Sequence, residues 1–482
     1  MTHRIEKEKW IFYRHTNNFD IITAVAVNLK NYSNSSISPE DKKELLKKLK
    51  ELKYYKERNP EMPLDAINHK INTLAYFMFG YKDKVHNQQR FLFSPLGNLF
   101  LKHIGDKEKI QKIFLTMLWG VQFPHPHSGT SKVFNLYPFR LIFKLLSDDR
   151  IGNKLYAYEV AYLVMFIKDI DLEKYEILVK ELIELRKLSN EELTLRFKLN
   201  EHALVNAAYE WDYYISKFIH YANIFNLEKG EIVCRLNQGK DSIRNIRRNF
   251  VTLNKDVIQY CNKLLSEYPY YEIPLQLNSN KKLNIDIVKE IYSFYPKILL
   301  EEIKEINSDL ETELLELPKL IEQYSNNNDG EEAYLFEDIL EDAFNMFYNI
   351  EARKIGGAGN TDIECLYLSE QRKFAVDAKS TKNKLSSINA GRLAIHREKI
   401  GGEYTIVVTP RYVPAVKNDI KNSPIVIISA RTLAEYLYNC ISQGIREIDY
   451  FDFDNIILSN LGKDVSPIIS QLTFDKFAIL SK

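Results

Sequence analysis

Two alternating segments joined by a short polar turn restrict the fold of this chain more than any other feature. The first is TDIECLYL at Thr361–Leu368, and the second is KFAVDAKST at Lys373–Thr381. Side chains of a β-strand alternate between its two faces, so each segment predicts a strand with one apolar face. The turn EQR between them predicts a hairpin, and the apolar run Phe374–Val376 predicts that the second strand is buried.

The segments around this hairpin predict a mixed α/β domain. An acidic amphipathic helix is expected at Glu331–Ile350, before the glycine-rich turn KIGGAGN that ends at Asn360. Buried β-branched strands are expected at Gly402–Pro410 and Ser423–Ala430, as in α/β sheets. A helix at Ser386–Ile400 is expected to cover the sheet. The polar side chains expected to face the cleft from that helix are Asn389, Arg392 and His396.

The hairpin predicts a cluster of charged side chains. Asp377 and Lys379 are two residues apart and therefore share one face, and Asp362 begins the neighbouring strand beside Asp377. Two adjacent carboxylates repel each other unless a cation lies between them, and hard oxygen ligands suit Mg²⁺. The Ala378 carbonyl is a candidate further ligand. A bound metal and Lys379 could together promote hydrolysis of a phosphodiester. The alternative is a surface hairpin with ordinary solvated charges, which would not require a buried strand.

A second informative region begins at Asn237, with the sequence NQGKDSIRNIRRNFVTLNKDV. It predicts a helix that buries Ile243, Ile246 and Phe250 on one side. The basic residues expected to contact DNA from this region are Lys240, Arg244, Arg247 and Arg248. Arginine suits phosphate and guanine edges, and a possible strand at Glu272–Asn278 would complete a helix-turn-helix with a wing. The alternative is an exposed helix whose arginines meet solvent or acidic neighbours.

The chain of 482 residues is too long for one ordinary core, so two to four domains are expected. The best boundary is the polar run SNNNDG at Ser325–Gly330. The net charge of +1 neither supports nor excludes DNA binding. The four scattered cysteines argue against a zinc site and against disulfides, and they suit a reducing cytoplasm. Because no signal peptide or membrane span is recognised, a cytoplasmic protein without a membrane partner is expected.

At the hairpin the chain resembles the PD-(D/E)xK nucleases. Over nearly its whole length it resembles the AlwI-like group of type IIS restriction endonucleases, and its C-terminal domain is similar in layout to the cleavage domain of FokI. The motifs that carry the resemblance are LFEDIL, GGAGNTDIECLY, FAVDAKST and RLAIHR. The resemblance implies that Glu337, Asp362, Asp377 and Lys379 are catalytic, with the three acidic residues also binding metal. The usual proline before the first aspartate is Thr361 here.

The resemblance also implies a domain plan. The expected fold is multidomain, with a mainly α N-terminal region of helix-turn-helix or winged-helix units and a C-terminal α/β nuclease domain. Residues 1–150 and 151–282 are expected to be two DNA-recognition subdomains, 283–330 a helical linker, and 331–482 the cleavage domain.

The implied activity is Mg²⁺-dependent cutting of double-stranded DNA a few nucleotides outside a short asymmetric site. Double-strand cutting would need a transient homodimer, a second subunit or sequential cuts. A cognate DNA methyltransferase is the expected partner in the same system. The alternatives are a strand-specific nicking enzyme, a DNA-binding protein with an inactive nuclease-like domain, and a nuclease of repair or transposition.

Overall fold

The computed structural model of the chain divides into two compact units. The first comprises Met1–Lys304 and Ile479–Lys482, and the second Glu305–Ala478. The predicted subdomains 1–150 and 151–282 both fall in the first unit. The structure describes residues 8–30, 36–37, 39–51, 65–85, 88–237, 243–277, 285–305, 310–326, 333–355, 357, 359–445 and 447–481.

The first unit is mainly helical. Its α-helices are α1 Phe19–Lys30, α2 Pro39–Glu51, α3 Asp65–Tyr76, α4 Pro95–Lys102, α5 Lys107–Gly120, α6 Pro138–Leu146, α7 Ala157–Tyr162, α8 Leu172–Arg186, α9 Asn190–Lys198, α10 Glu201–Ala208, α11 Ser216–Tyr221, α12 Lys255–Glu267, α13 Ile285–Tyr292 and α14 Lys297–Glu302. A π-helix at Tyr209–Ile215 joins α10 to α11, and short 3₁₀ turns lie at Asp149–Ile151 and Val164–Phe166.

The strands of the first unit form three small sheets. They are β1 Ser36–Ile37, β2 Gly80–Val85, β3 Gln88–Phe93, β4 Leu155–Tyr156, β5 Phe225–Glu228, β6 Ile232–Asn237, β7 Ile243–Arg247, β8 Phe250–Leu253 and β14 Ile479–Ser481. The sheet orders are β1-β14-β3-β2, β4-β8-β5 and β6-β7. β3 leads through a Ser-Pro turn into α4, and the Ser94 hydroxyl caps this helix by accepting from the Gly97 N–H at 3.0 Å.

The predicted helix after Asn237 is wrong. The region forms the antiparallel hairpin β6–β7, then β8, and a helix begins only at Lys255. Leu236 and Ile246 are buried while Ile243 is exposed, so the apolar residues follow the two-residue alternation of strands. The predicted wing is absent at residues 272–277, where the described backbone has no strand. Lys240 lies outside the described residues.

The second unit is built on a five-stranded sheet of order β13-β12-β11-β10-β9. Its strands are β9 Ile350–Lys354, β10 Ile363–Tyr367, β11 Arg372–Ala378, β12 Tyr404–Thr409 and β13 Ile425–Ser429. Its helices are α15 Leu310–Ser325, α16 Ala333–Asn345, α17 Ala390–Ile400, α18 Val416–Asp419, α19 Ala430–Ser442, α20 Phe451–Leu458 and α21 Ser466–Phe477. β9–β10 and β10–β11 are antiparallel, whereas β11–β12 and β12–β13 are parallel.

Both faces of this sheet are covered. On one face, Val407 and Ile427 pack with Leu393 of α17 and Val416 of α18. On the other, Phe344 of α16 meets Phe374 edge to face, with ring centroids 6.0 Å apart. Burial on both faces explains why β12 and β13 consist of unbroken apolar and β-branched residues.

The unit boundary after Lys304 lies inside the predicted linker, but α15, predicted as linker, packs on α16 and α19 of the second unit. The final strand β14, predicted to belong to the cleavage domain, pairs in the first unit. Among the described helices, none is both long enough and apolar enough to cross a bilayer.

Candidate active site

The register of the β10–β11 hairpin places two aspartates side by side. Ile363 pairs with Val376, so the next pair outward along the two strands is Asp362 and Asp377. Directly opposed residues of antiparallel strands project from the same face of the sheet. The Asp362 carboxylate is fixed because its Oδ2 accepts a hydrogen bond from the Ala378 N–H at 2.7 Å. The predicted juxtaposition of these carboxylates is therefore present.

Asp377 is held in an environment that disfavours its charge. Its side chain is 4% exposed, and the Lys379 ammonium lies 2.5 Å from its Oδ2. Burial raises the pKa of Asp377 to about 6, with the ammonium of Lys379 lowering it and the carboxylate of Asp362 raising it. Apart from that ion pair, Oδ2 has no hydrogen-bond partner in the described chain. Within the described chain, the cation in contact with this buried carboxylate oxygen is the Lys379 ammonium.

The backbone around the two aspartates is rigid. The Lys379 N–H donates to the Val408 carbonyl at 2.9 Å, which continues the parallel pairing of β11 with β12. Thr361, at the position of the usual proline, is buried and donates from Oγ1 to the Val376 carbonyl at 3.1 Å. The threonine hydroxyl thereby fixes the start of β10 to β11.

Helix α17 adds two cationic or titratable side chains near the pair. Burial lowers the pKa of His396, the charge of Arg392 lowers it further, and Asp362 opposes the shift. Arg392 also lowers the pKa of Asp377. The Nδ1 atom of buried His396 has no hydrogen-bond partner among the described residues. Asn389 instead caps α17, since its Oδ1 accepts from the Arg392 N–H at 2.9 Å.

The structure does not bring Glu337 to the aspartate pair. Glu337 lies on α16 and contacts the Lys354 ammonium at 3.2 Å. Lys354 is paired with Ile363, so its side chain leaves the sheet on the face opposite to Asp362. Within the described ranges, no three His, Cys, Asp or Glu side chains form a group that could hold a metal ion.

The donor set nevertheless fits a hard divalent cation. Two carboxylates project from adjacent strand positions, and the buried one is balanced by the Lys379 ammonium. Mg²⁺ is commonly bound by only one or two protein carboxylates, with water and substrate phosphate completing its shell. Asp362 and Asp377 would hold the ion, and the backbone of Ala378 lies between them.

The arginines predicted for DNA contact are separated by the hairpin. The guanidinium of Arg244 lies 3.7 Å from the ring centroid of Tyr209, on the inward face of β7. Arg248 donates to Asn190 Oδ1 at 2.9 Å. Arg247 is exposed and makes a long contact of 3.5 Å to the Gly230 carbonyl. The single helical face predicted for these residues does not exist, because they lie on a strand and the turn after it.

Solved structures of the restriction endonuclease FokI align weakly with the chain. The free enzyme aligns over 93% of this chain and 98% of its own, with 10% identity and a TM-score of 0.28. FokI bound to DNA aligns over 83% and 81%, with 11% identity and a TM-score of 0.26. TM-scores this low do not establish a shared fold.

Sequence comparisons are far stronger. The model of the family described as "Type II restriction endonuclease HgaI, N-terminal domain" matches residues 5–268. The type II restriction enzyme HgaI of Avibacterium volantium is 46% identical over 477 residues, which is 97% of each chain. The chain therefore belongs to the HgaI family of type II restriction endonucleases, and it is an enzyme of the site-specific deoxyribonuclease class.

Proposed function

We propose that this enzyme is of type IIS: it binds a short asymmetric sequence in double-stranded DNA and hydrolyses phosphodiester bonds a few nucleotides away, with Mg²⁺ bound at Asp362 and Asp377. The observation that carries the proposal is the pairing of two carboxylates in the hairpin: buried Asp377 lies beside Asp362, and its Oδ2 contacts the Lys379 ammonium at 2.5 Å. Within the PD-(D/E)xK pattern, Asp362 and Asp377 are the two acids and Lys379 is the lysine. The finer AlwI-like assignment stays a prediction.

The proposed mechanism assigns a separate task to each side chain. When bound, Mg²⁺ would polarise the scissile phosphate and stabilise charge on the leaving 3′ oxygen. Asp362 is oriented for binding by the Ala378 N–H, and the Ala378 carbonyl is proposed as a further ligand. Lys379, 2.5 Å from Asp377, would orient the attacking water and stabilise charge at phosphorus. Arg392 adds positive charge near the same carboxylate, where a phosphate would approach.

Glu337 has a different role in this proposal. Its contact with Lys354 on the other side of the sheet favours a structural role over metal binding.

The decisive experiment is the Asp377→Ala substitution in the full chain. Cleavage of plasmid DNA in Mg²⁺ should be abolished, while binding to the specific duplex in a gel-shift assay should stay within about threefold, since base recognition is assigned to the first unit. EDTA should abolish cleavage by the unaltered enzyme, and excess Mg²⁺ should restore it.

The matched control is Glu364→Gln. Glu364 lies two residues from Asp362 on the same face of β10 and forms an ion pair with Lys373 at 2.6 Å. Its loss should leave cleavage nearly unchanged. If Asp377→Ala still cuts at the unaltered rate, the assignment of the site is wrong.

The described chain contains one proposed catalytic set, Asp362, Asp377 and Lys379, whereas double-stranded DNA has two strands to cut. One set hydrolyses one strand, so we propose a transient homodimer, a second subunit or sequential cuts for double-strand cleavage. A strand-specific nicking activity is the second candidate, favoured by the same observation. Linear product from supercoiled plasmid indicates double-strand cutting, whereas open circles alone indicate nicking. Sequencing the ends gives the offset, and a neighbouring methyltransferase gene would support a restriction–modification role.

A further inference from the structure

The β6–β7 hairpin presents a polar outer face that the predicted helix had concealed. In its register Arg235 is paired with Asn245, and Asn237 with Ile243. Together with Arg247, these residues project from one side of the two strands and are all exposed. We call this set the outer face: Arg235, Asn237, Ile243, Asn245 and Arg247.

The opposite side of the hairpin is packed against the protein. Cys234, Leu236 and Ile246 are buried there, and β6 contacts both α9 and α10. Arg244, on the same inward side, lies over the Tyr209 ring. The hairpin is therefore held from behind by an apolar layer, which leaves the outer face as a fixed surface.

The chemistry of the outer face is unusual for a solvated hairpin. The outer face holds two arginines, Arg235 and Arg247, and the segments Ile232–Asn237 and Ile243–Arg247 contain no acidic residue. In the described chain, no hydrogen bond or ion pair engages the side chain of Arg235 or of Asn245. Ile243 is 69% exposed and is paired with Asn237 at the end of the described register, so it adds an apolar surface beside these polar groups.

These side chains match the edges of DNA bases in the major groove. Arginine pairs bidentately with guanine, asparagine with adenine, and an apolar side chain contacts the methyl group of thymine. The major groove admits a two-stranded β-ribbon, and several DNA-binding proteins use strands in this way. The longer strand, β6, has 6 residues. A ribbon of that size is about 20 Å long, enough to span several base pairs.

We infer that the β6–β7 hairpin enters the major groove and that its outer face reads base pairs of the recognition sequence. This inference rests on the proposed function, because it assumes a duplex DNA target. Arg235 and Asn245 are assigned to hydrogen bonds with base edges, and Ile243 to an apolar contact. Arg247 is assigned to the duplex edge, where it contacts either a base or a phosphate. Arg244 acts as a positioning residue from behind.

The test uses the full chain in the Asp377→Ala background, so that binding is read without cutting. Bound duplexes are selected from a library of randomised sequence and then sequenced. Arg235→Ala, Asn245→Ala and Ile243→Ala should each relax the preference at one base pair by about 10- to 100-fold. Arg235→Lys keeps the charge but loses the bidentate contact, so it should relax the same base pair while leaving the salt dependence unchanged.

Matched controls lie on α8 of the same unit. Ile177 is an exposed isoleucine, at 49%, and Lys180 an exposed cation without a hydrogen bond or ion pair in the described chain. Ile177→Ala and Lys180→Ala should leave every base preference intact.

Two results would overturn the inference. If the outer-face variants weaken binding equally for all sequences and reduce the salt dependence, the hairpin contacts only phosphates. If they bind with unaltered preference, the hairpin lies outside the interface. Failure of the proposed function would look different, because the enzyme with Asp377 intact would then fail to cut the library in Mg²⁺, whatever the hairpin variants bind.

Discussion

The buried charge of Asp377 predicts that removing it makes the fold more stable while destroying activity. Asp377→Asn keeps the size of the side chain but removes the carboxylate from a site that is 4% exposed. The rise of the Asp377 pKa from its ordinary 3.8 to about 6 corresponds to about 3 kcal/mol of destabilisation of the charged form. Without metal, at pH 7.5, the variant should therefore be more stable by up to about 3 kcal/mol.

The pH dependence follows from the sign of the shift. The folded state binds the proton of Asp377 more tightly than the unfolded state does. Protonation therefore contributes fully to the free energy of unfolding below about pH 4. This contribution to stability is lost as the pH rises through about 6. The difference in free energy of unfolding between Asp377→Asn and the unaltered enzyme should therefore grow between those two pH values and remain constant above them. Added Mg²⁺ should narrow the difference by stabilising only the unaltered enzyme.

The assay is hydrogen exchange of the β11 amides, measured by mass spectrometry on the full chain with and without EDTA. The three tryptophans, Trp10, Trp119 and Trp211, all lie in the first unit, so fluorescence would not report on this strand. Exchange in Asp377→Asn should be up to about 100-fold slower than in the unaltered enzyme at pH 7.5. Glu364→Gln serves as the control. Equal or faster exchange in the asparagine variant would refute the reasoning.

Three further outcomes are expected of the same site. Lys379→Met should slow plasmid cleavage by about 10²- to 10³-fold in single-turnover assays, since it removes the ammonium proposed to stabilise charge at the reacting phosphate. A loss below about tenfold would contradict a catalytic role for Lys379. Glu337→Gln should lower the cleavage rate by less than about tenfold, because Glu337 pairs with Lys354 on the face of the sheet opposite to Asp362. Complete inactivation would instead support a role for Glu337 in metal binding. The cleavage rate should fall as the pH drops below about 6, where Asp377 takes up a proton, and a rate independent of pH between 5 and about 8 would contradict the burial of that carboxylate.

The second unit was predictable from local patterns where those patterns were strong. The alternation in Thr361–Leu368 and Lys373–Thr381 predicted both strands and the pairing of Asp362 with Asp377. The β-branched runs predicted β12 and β13. Strand β9 was missed because the alternation in IEARK rests on only two apolar residues, Ile350 and Ala352, and follows directly on the helical pattern of α16. Its strand conformation depends on pairing with β10, which is a tertiary effect.

The helix predicted after Asn237 was wrong because the strand pattern there also depends on pairing between segments. Ile243, Ile246 and Phe250 match helical spacing. The competing strand pattern depends on the pairing of two segments, in which Leu236 lies opposite Arg244, and one segment alone does not show it. Short segments carry too few apolar positions to separate the two periods. The partner of Glu337 was equally hidden, because the contact with Lys354 requires the register of a strand that had not been predicted.

The return of the chain in Ile479–Ser481 to β3 gives the second unit two covalent attachments to the first. It is an insertion with an entrance near Lys304 and an exit near Ala478. Proteolysis near Lys304 would leave the fragment that contains the second unit held to the first only through the strand pairing of Ile479–Ser481, whereas proteolysis near Ala478 would leave the two units covalently joined at Lys304. Transferring the second unit to another protein therefore needs two splice sites, with the terminal strand left behind in its sheet.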